Sequence, residues 1–212
     1  MHDPLHSALE RIRAGGLVAY PTETVWGLAA DATSDAALAR LRAFKGRTEE
    51  HPIAILVDGI DALGPLDFEF GPSARRLAKH YWPGPLTLVL PCGHRFAPGV
   101  ASTDGSVGVR CSAHPLASAF ARRLRAEGLG PVTATSLNAS GEPPARRLCD
   151  ATQCCETGGA APPLLLAVDG AEAGGEEPST VLDLAGREAR VLREGAIPSA
   201  HLSPFLEENK SA

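Results

Sequence analysis

Apolar positions along the chain follow two alternating rhythms. Leu5, Ala8, Leu9 and Ile12 recur at i, i+3, i+4 and i+7, which predicts an amphipathic helix stopped by Gly15-Gly16. Ser34 is placed to cap a second helix, in which Ala37, Leu38, Leu41 and Phe44 face inward. A third helix is expected from about Pro72 to His80. A fourth runs from about Pro115 to Glu127, with Leu116, Phe120 and Leu124 on one face and Gly128 as its stop. Between the helices lie short aliphatic and β-branched runs that read as strands. They are Leu17 to Tyr20, Ile53 to Val57, Leu86 to Leu90, Ser106 to Arg110, Val132 to Thr135, Leu164 to Val168, Val181 to Leu184 and Arg190 to Arg193. Such interleaving predicts an α/β fold, a largely buried, twisted mixed sheet with flanking helices.

Turn-rich segments at Pro91 to Gly105, Gly158 to Pro163 and Gly170 to Pro178 interrupt the pattern without isolating a self-sufficient block. One domain is therefore expected over residues 1–205, followed by a polar C-terminal tail at 206–212. The acidic Gly/Ala/Glu stretch from Ala171 to Glu177 is expected to be a mobile surface loop. With 212 residues, 44% of them hydrophobic and 21% charged, the chain can bury a sizeable core and lacks the composition of a disordered protein. Its longest apolar stretches fall far short of the roughly 20 residues of a membrane-spanning helix. The N-terminus has neither the basic start nor the apolar run of a secretory signal. Five cysteines, with no C-x-x-C pair and no histidine at finger spacing, argue against a zinc site or a disulfide framework, so a reducing, cytoplasmic setting is expected. The net charge of −5 disfavours wrapping of nucleic acid by bulk charge. That charge is uneven: residues 71–150 carry +6 and residues 151–212 carry −6.

Familiar phosphate and hydrolase signatures are missing. There is no G-x-x-x-x-G-K-[ST] loop, Gly128-Leu-Gly130 has no third glycine opening a helix, and Gly105-Ser106-Val-Gly108 lies within a strand rather than on a nucleophile elbow. What remains is a set of polar residues on or beside apolar strands. Tyr20-Pro-Thr-Glu-Thr-Val-Trp-Gly27 holds two hydroxyls and a carboxylate within three residues, which suits either a capped turn or a binding loop. Phe44-Lys45-Gly46-Arg47 ends a helix, where cations also serve the macrodipole. Arg110 ends an apolar strand and needs an anionic partner, which a ligand carboxylate or phosphate or an Asp or Glu of the chain would equally provide. Thr133-Ala-Thr-Ser136-Leu-Asn138 places hydroxyls and an amide at another strand end, where α/β sheets often bind ligands. Pro178-Ser179-Thr180-Val-Leu-Asp183 and Val191-Leu-Arg193-Glu-Gly195 add further hydroxyls and an arginine.

Taken together and in order, these strings carry more than each does alone. P-T-E-T-V-W-G-L from Pro21, Lys45-Gly46-Arg47, W-P-G-P-L-T at 82–87, V-G-V-R at 107–110, S-L-N at 136–138, P-S-T-V-L-D at 178–183 and L-R-E-G at 192–195 closely resemble the YrdC/TsaC family of threonylcarbamoyl-AMP synthases. The resemblance spans roughly residues 8–200. It implies a single YrdC-like α/β domain, a twisted mixed sheet with flanking helices around a central cavity. It also implies synthesis of L-threonylcarbamoyladenylate from L-threonine, bicarbonate or carbon dioxide, and ATP, with release of pyrophosphate, as the first step towards threonylcarbamoyladenosine in tRNA. By matching positions, Thr22, Thr24, Arg110 and Ser179 would bind threonine, with Arg110 on its carboxylate. Lys45, Arg47, Ser136 and Asn138 would be catalytic and surround the phosphates and the carbamate. Ser106 and Arg193 would complete the nucleotide side, and Mg2+ would accompany ATP.

The resemblance further implies hand-over of the adenylate to tRNA-modifying partner proteins and no membrane association, while leaving direct RNA binding open. With 212 residues, the extra C-terminal domain of longer relatives is not expected. Departures from the family pattern are Trp26 for Tyr, Thr48 for Pro after K-G-R, Leu137 for Ala inside S-x-N, and Pro144 where a serine is common. None removes a matched charge. His51, beside K-G-R, suits either the threonine side or a solvated surface. Two alternatives remain: an RNA-binding or ribosome-maturation module without threonine-dependent turnover, and a related carbamoyl-adenylate former.

Overall fold

Local signals set most of the helices. In the computed structural model, which describes residues 3–46, 52–158, 162–168, 172–175 and 177–206, α1 spans Pro4–Arg13 and is capped by Asp3, whose carboxylate accepts from the Leu5 N–H. It buries Ala8, Leu9 and Ile12. α2 spans Asp35–Lys45; Ser34 caps it, and Gly46 ends it in the left-handed conformation at φ 61°, which glycine adopts without penalty. α3 (Pro72–Tyr81) and α4 (Pro115–Ala126) carry proline in their first turn, where its missing N–H costs nothing. α5 spans Leu148–Thr157, and a single turn, α6, spans Ser199–Leu202.

Among the described residues, ten short strands form two mixed sheets. β1 (Val18–Tyr20), β2 (Gly27–Ala29), β7 (Thr135–Ser136) and β8 (Leu164–Leu165) make a sheet of order β7-β2-β1-β8. β3 (Ile55–Leu56), β4 (Leu86–Pro91), β5 (Ser106–Arg110), β6 (Val132–Thr133), β9 (Thr180–Asp183) and β10 (Arg190–Arg193) make a second sheet of order β10-β9-β4-β5-β3-β6. Its centre is the antiparallel β4–β5 pair, which sets Thr87 opposite Arg110 and Val89 opposite Gly108. One apolar core runs from Leu17 and Trp26 through α2 and α3 to Leu182 and Leu202, and a second packs α1 and α4 around Tyr20, Leu56 and Val132.

Four expectations need correction. The run Val132 to Thr135 is not one strand: β6 pairs with β3 and β7 with β2, so the chain steps between sheets at Ala134. Within Ile53 to Val57 and Leu164 to Val168 only two residues each are strand: the Ile53 N–H and the Ala54 carbonyl bond to Gly99 O and the Ala134 N–H, outside the strands, while the Leu166 N–H still reaches Ala19 O of β1. α5 and β2 were not expected, since α5 buries only Ala151 and Cys155 and Gly27-Leu-Ala29 is not β-branched. The described part of the supposed surface loop, 172–175, is docked rather than free: the Gly174 N–H donates to Thr22 O at 2.9 Å and the Gly175 N–H to Thr24 O at 3.0 Å.

Candidate functional site

A cavity of about 540 Å³ opens between the two sheets. Strand periodicity explains its lining. Thr87 and Val89 of β4 and Ser106, Gly108 and Arg110 of β5 alternate onto one face, while Tyr20, Gly27, Thr135 and Ser136 meet them from the other sheet. Val181 of β9 with Leu192 and Arg193 of β10 close one side, and Thr22, Thr24, Val25 and Trp26 another. Such a mixed wall, mostly apolar with a few convergent polar groups, is what a small-molecule site requires.

Arg110 is 5% exposed, a position a guanidinium holds only with a partner. Its Nη2 donates to Oε1 of Glu23 and, at 3.4 Å, to the Thr24 hydroxyl. The other Glu23 oxygen accepts from the Ser112 hydroxyl and, at 3.1 Å, from the Ala113 N–H. Burial lowers the proton affinity of Arg110, and the neighbouring Glu23 works against that shift. The Nε of Arg110 is buried without a hydrogen-bond partner. Thr22 folds its hydroxyl onto Val25 O at 2.6 Å and lies 2.9 Å from the Thr24 hydroxyl.

Across the cavity, the Ser179 and Thr87 hydroxyls are 2.9 Å apart. Arg193 comes from the exposed strand β10, yet its guanidinium turns back to donate to Ser179 O at 2.8 and 3.1 Å and to the Ser179 hydroxyl at 3.1 Å. Partial burial, with Arg110 as a second cause, lowers the proton affinity of Arg193. Arg193 and Arg110, the latter paired with Glu23, are the two charged side chains lining the cavity among the described residues. Ser106 donates to Asp104 at 2.7 Å.

Lys45 is fully buried at the end of α2. Its ammonium donates to Ser136 O at 2.6 Å, Asn138 O at 3.1 Å and Asn138 Oδ1 at 2.9 Å. The Ser136 hydroxyl donates to the same Oδ1 at 2.6 Å. Lys45 and Asn138 thus shape the S-L-N turn from behind, and of that group only Ser136 lines the cavity.

The structure therefore brings Thr22, Thr24, Ser106, Arg110, Ser136, Ser179 and Arg193 to one cavity and sets Lys45 and Asn138 directly behind its wall. Arg47 and His51 lie outside the described residues. Sequence reasoning missed Glu23, Thr87 and Ser112 as partners. Glu23 and Thr87 were visible as polar residues inside the P-T-E-T and W-P-G-P-L-T strings, but a single sequence does not reveal which buried group they face. Among the described residues no group of three or more His, Cys, Asp or Glu is arranged to hold a metal ion. No helix of the described residues is long and apolar enough to cross a membrane.

Comparison with known proteins gives concordant matches. The Sua5/YciO/YrdC family model, described as "Telomere recombination", matches residues 10–195. A threonylcarbamoyl-AMP synthase of Stenotrophomonas maltophilia is 41% identical over 171 residues, covering 75% of this chain and 90% of the relative. One from Chromohalobacter salexigens is 38% identical over 182 residues, covering 86% and 93%. Among solved structures, P. abyssi Sua5 complexed with L-threonine superposes with a TM-score of 0.84 at 31% identity, over 98% of this chain and 59% of that one. This chain thus spans well under two thirds of that longer protein.

Proposed function

The chain belongs to the Sua5/YciO/YrdC family, and from that premise we propose that it is an L-threonylcarbamoyladenylate synthase, a nucleotidyltransferase using L-threonine, bicarbonate or carbon dioxide, and ATP. The observation that carries this reading is the convergence of Arg110, Arg193 and the hydroxyls of Thr22, Thr24, Ser106, Ser136 and Ser179 on one cavity between the sheets. Every reactant except carbon dioxide is anionic or carries a carboxylate, and the cavity offers each of those groups a cation or a hydroxyl.

The chemistry follows from positioning. The threonine amine, as the free base, adds to carbon dioxide and gives up a proton to solvent to form a carbamate; a carbamate oxygen then attacks the α-phosphorus of ATP, and pyrophosphate leaves. No covalent enzyme intermediate is needed, so orientation and charge stabilisation supply the acceleration. Arg110, Thr22, Thr24 and Ser179 are assigned to the threonine carboxylate and hydroxyl. Arg193, Ser106 and Ser136 are assigned to the nucleotide. Lys45 and Asn138 act by holding the S-L-N turn whose Ser136 meets the phosphates, and Arg47 belongs to the same nucleotide element by its place in K-x-R. Mg2+ would accompany ATP, where its charge would offset that of the phosphates. Hand-over of the adenylate to tRNA-modifying partners in the cytoplasm belongs to the same proposal, as does a single domain over residues 1–205.

The deciding experiment measures pyrophosphate release with each substrate omitted in turn. Release is expected only when ATP, threonine and bicarbonate are all present. Release that does not depend on threonine overturns the assignment, and salt-dependent RNA binding without turnover would favour an RNA-binding module instead.

A further inference from the structure

Glu23 does not line the cavity but pairs with Arg110, which does, and the proposed reaction gives it no task. It is held from both sides. Its side chain is only 19% exposed, and its two carboxylate oxygens accept from Arg110 Nη2, the Ser112 hydroxyl and the Ala113 N–H. Its backbone lies under the docked strap 172–175, whose Gly174 and Gly175 N–H groups bond the carbonyls on either side, Thr22 O and Thr24 O. The approach is close enough to need glycine. A Cβ on Gly174 would stand 3.2 Å from Glu23 Cα, and one on Gly175 would stand 2.9 Å from Glu23 O. The strap is itself anchored, since Glu172 accepts from the Leu148 N–H at 3.0 Å.

A buried ion pair is seldom worth its desolvation for stability alone. Here, moreover, the pairing leaves Arg110 incompletely satisfied: Nη2 is engaged while the buried Nε has no partner, a cost that a ligand oxygen in the cavity would relieve. Because three donors hold both Glu23 oxygens, the carboxylate is fixed rather than free to swing aside. Building on the threonine assignment above, we propose that Glu23 is a positioning residue. Clamped by the Gly174-Gly175 strap, it fixes the Arg110 guanidinium in advance, so that the donors left over, Nε among them, meet the carboxylate of the amino-acid substrate without first being ordered.

Three variants test this: Glu23→Gln, which keeps the shape and removes the charge; Glu23→Asp; and Gly175→Ala, which keeps the carboxylate and displaces its backbone. Threonine affinity by calorimetry, the KM and kcat for threonine and ATP in pyrophosphate release, and thermal melting are measured together. Glu23→Gln is expected to raise threonine Kd and KM by about 10- to 100-fold, the loss typical of a charge-assisted contact, with a smaller change in kcat and in the ATP KM. Glu23→Asp recovers part of that loss, and Gly175→Ala shifts threonine KM in the same direction. Unchanged threonine affinity in folded Glu23→Gln overturns the inference, as does a lower melting temperature with threonine and ATP weakened equally, which marks a merely structural pair. Wild-type protein without threonine-dependent release overturns the functional assignment, and this inference with it.

Discussion

Arg110 and Lys45 are both buried cations, but their donors go to different uses. Arg110 stands in the cavity wall with a donor to spare, whereas Lys45 spends its ammonium on the carbonyls of Ser136 and Asn138 and on Asn138 Oδ1. Replacement of Arg110 by alanine should therefore act on binding. Threonine KM is expected to rise by at least about 10-fold, with a smaller fall in kcat, measured as pyrophosphate release over a threonine series. Lys45→Ala should act on the chemical step, because it frees the turn that carries Ser136 and strands buried acceptors. On the order of 10- to 100-fold in kcat is expected at saturating threonine and ATP, and an unchanged kcat in folded Lys45→Ala would refute the role assigned to it. Urea denaturation of each variant separates lost catalysis from lost fold.

At the scale of elements, the passage from β6 to β7 decides where Ser136 stands. Thr133 makes that passage rigid: its N–H donates to Ala30 O at 2.9 Å, and its hydroxyl donates to Leu28 O and accepts from the Ala30 N–H, both at 3.0 Å. Thr133→Val keeps the shape and leaves a buried N–H and a carbonyl without their shared partner. A loss of about 1–3 kcal/mol is expected in urea unfolding, and wild-type stability in that variant would show that the hydroxyl bridge does not join the sheets. The same region marks the limit of what the chain discloses one residue at a time. Helical spacing exposed α1 to α4, and aliphatic runs located most strands, because both are local consequences of one buried face. Nothing local tells Val132-Thr133 from Thr135-Ser136, since the sheet each joins depends on partners about 80 to 110 residues away in sequence. The site divides likewise. Hydroxyls and arginines at strand ends were legible as candidates, whereas the pairing of Glu23 with Arg110 and of Lys45 with the S-L-N turn is a property of the closed fold.

For the molecule as a whole, a cavity between two sheets leaves the surrounding core to supply stability, and that core contains thiols. Cys111 follows β5 and is 3% exposed; burial, with Asp58 and Glu23 adding to it, pushes its thiol up to about 11. Cys155 on α5 is 7% exposed and is pushed up to about 12, again chiefly by burial. In the unfolded chain both thiols ionise near the ordinary cysteine value of about 8.5–9. Between that value and about 11 the folded state therefore holds protons that the unfolded state has released. The sign follows: stability contributed by these thiols is complete below about pH 8.5, falls as pH rises through the window, and is gone above the folded values. Each thiol should lower the folded-to-unfolded ratio by up to about tenfold per pH unit there. Tyr20 is also raised by burial and adds a drop of the same sign, but only above the ordinary tyrosine value of about 10. Urea midpoints at pH 8, 9 and 10 isolate the cysteine part. The wild type should lose stability progressively over those steps, and the Cys111→Ala/Cys155→Ala double variant, though less stable at pH 8, should lose distinctly less. Parallel curves for the two proteins would show that both thiols ionise in the folded state as readily as in the unfolded chain, and hence that water reaches them.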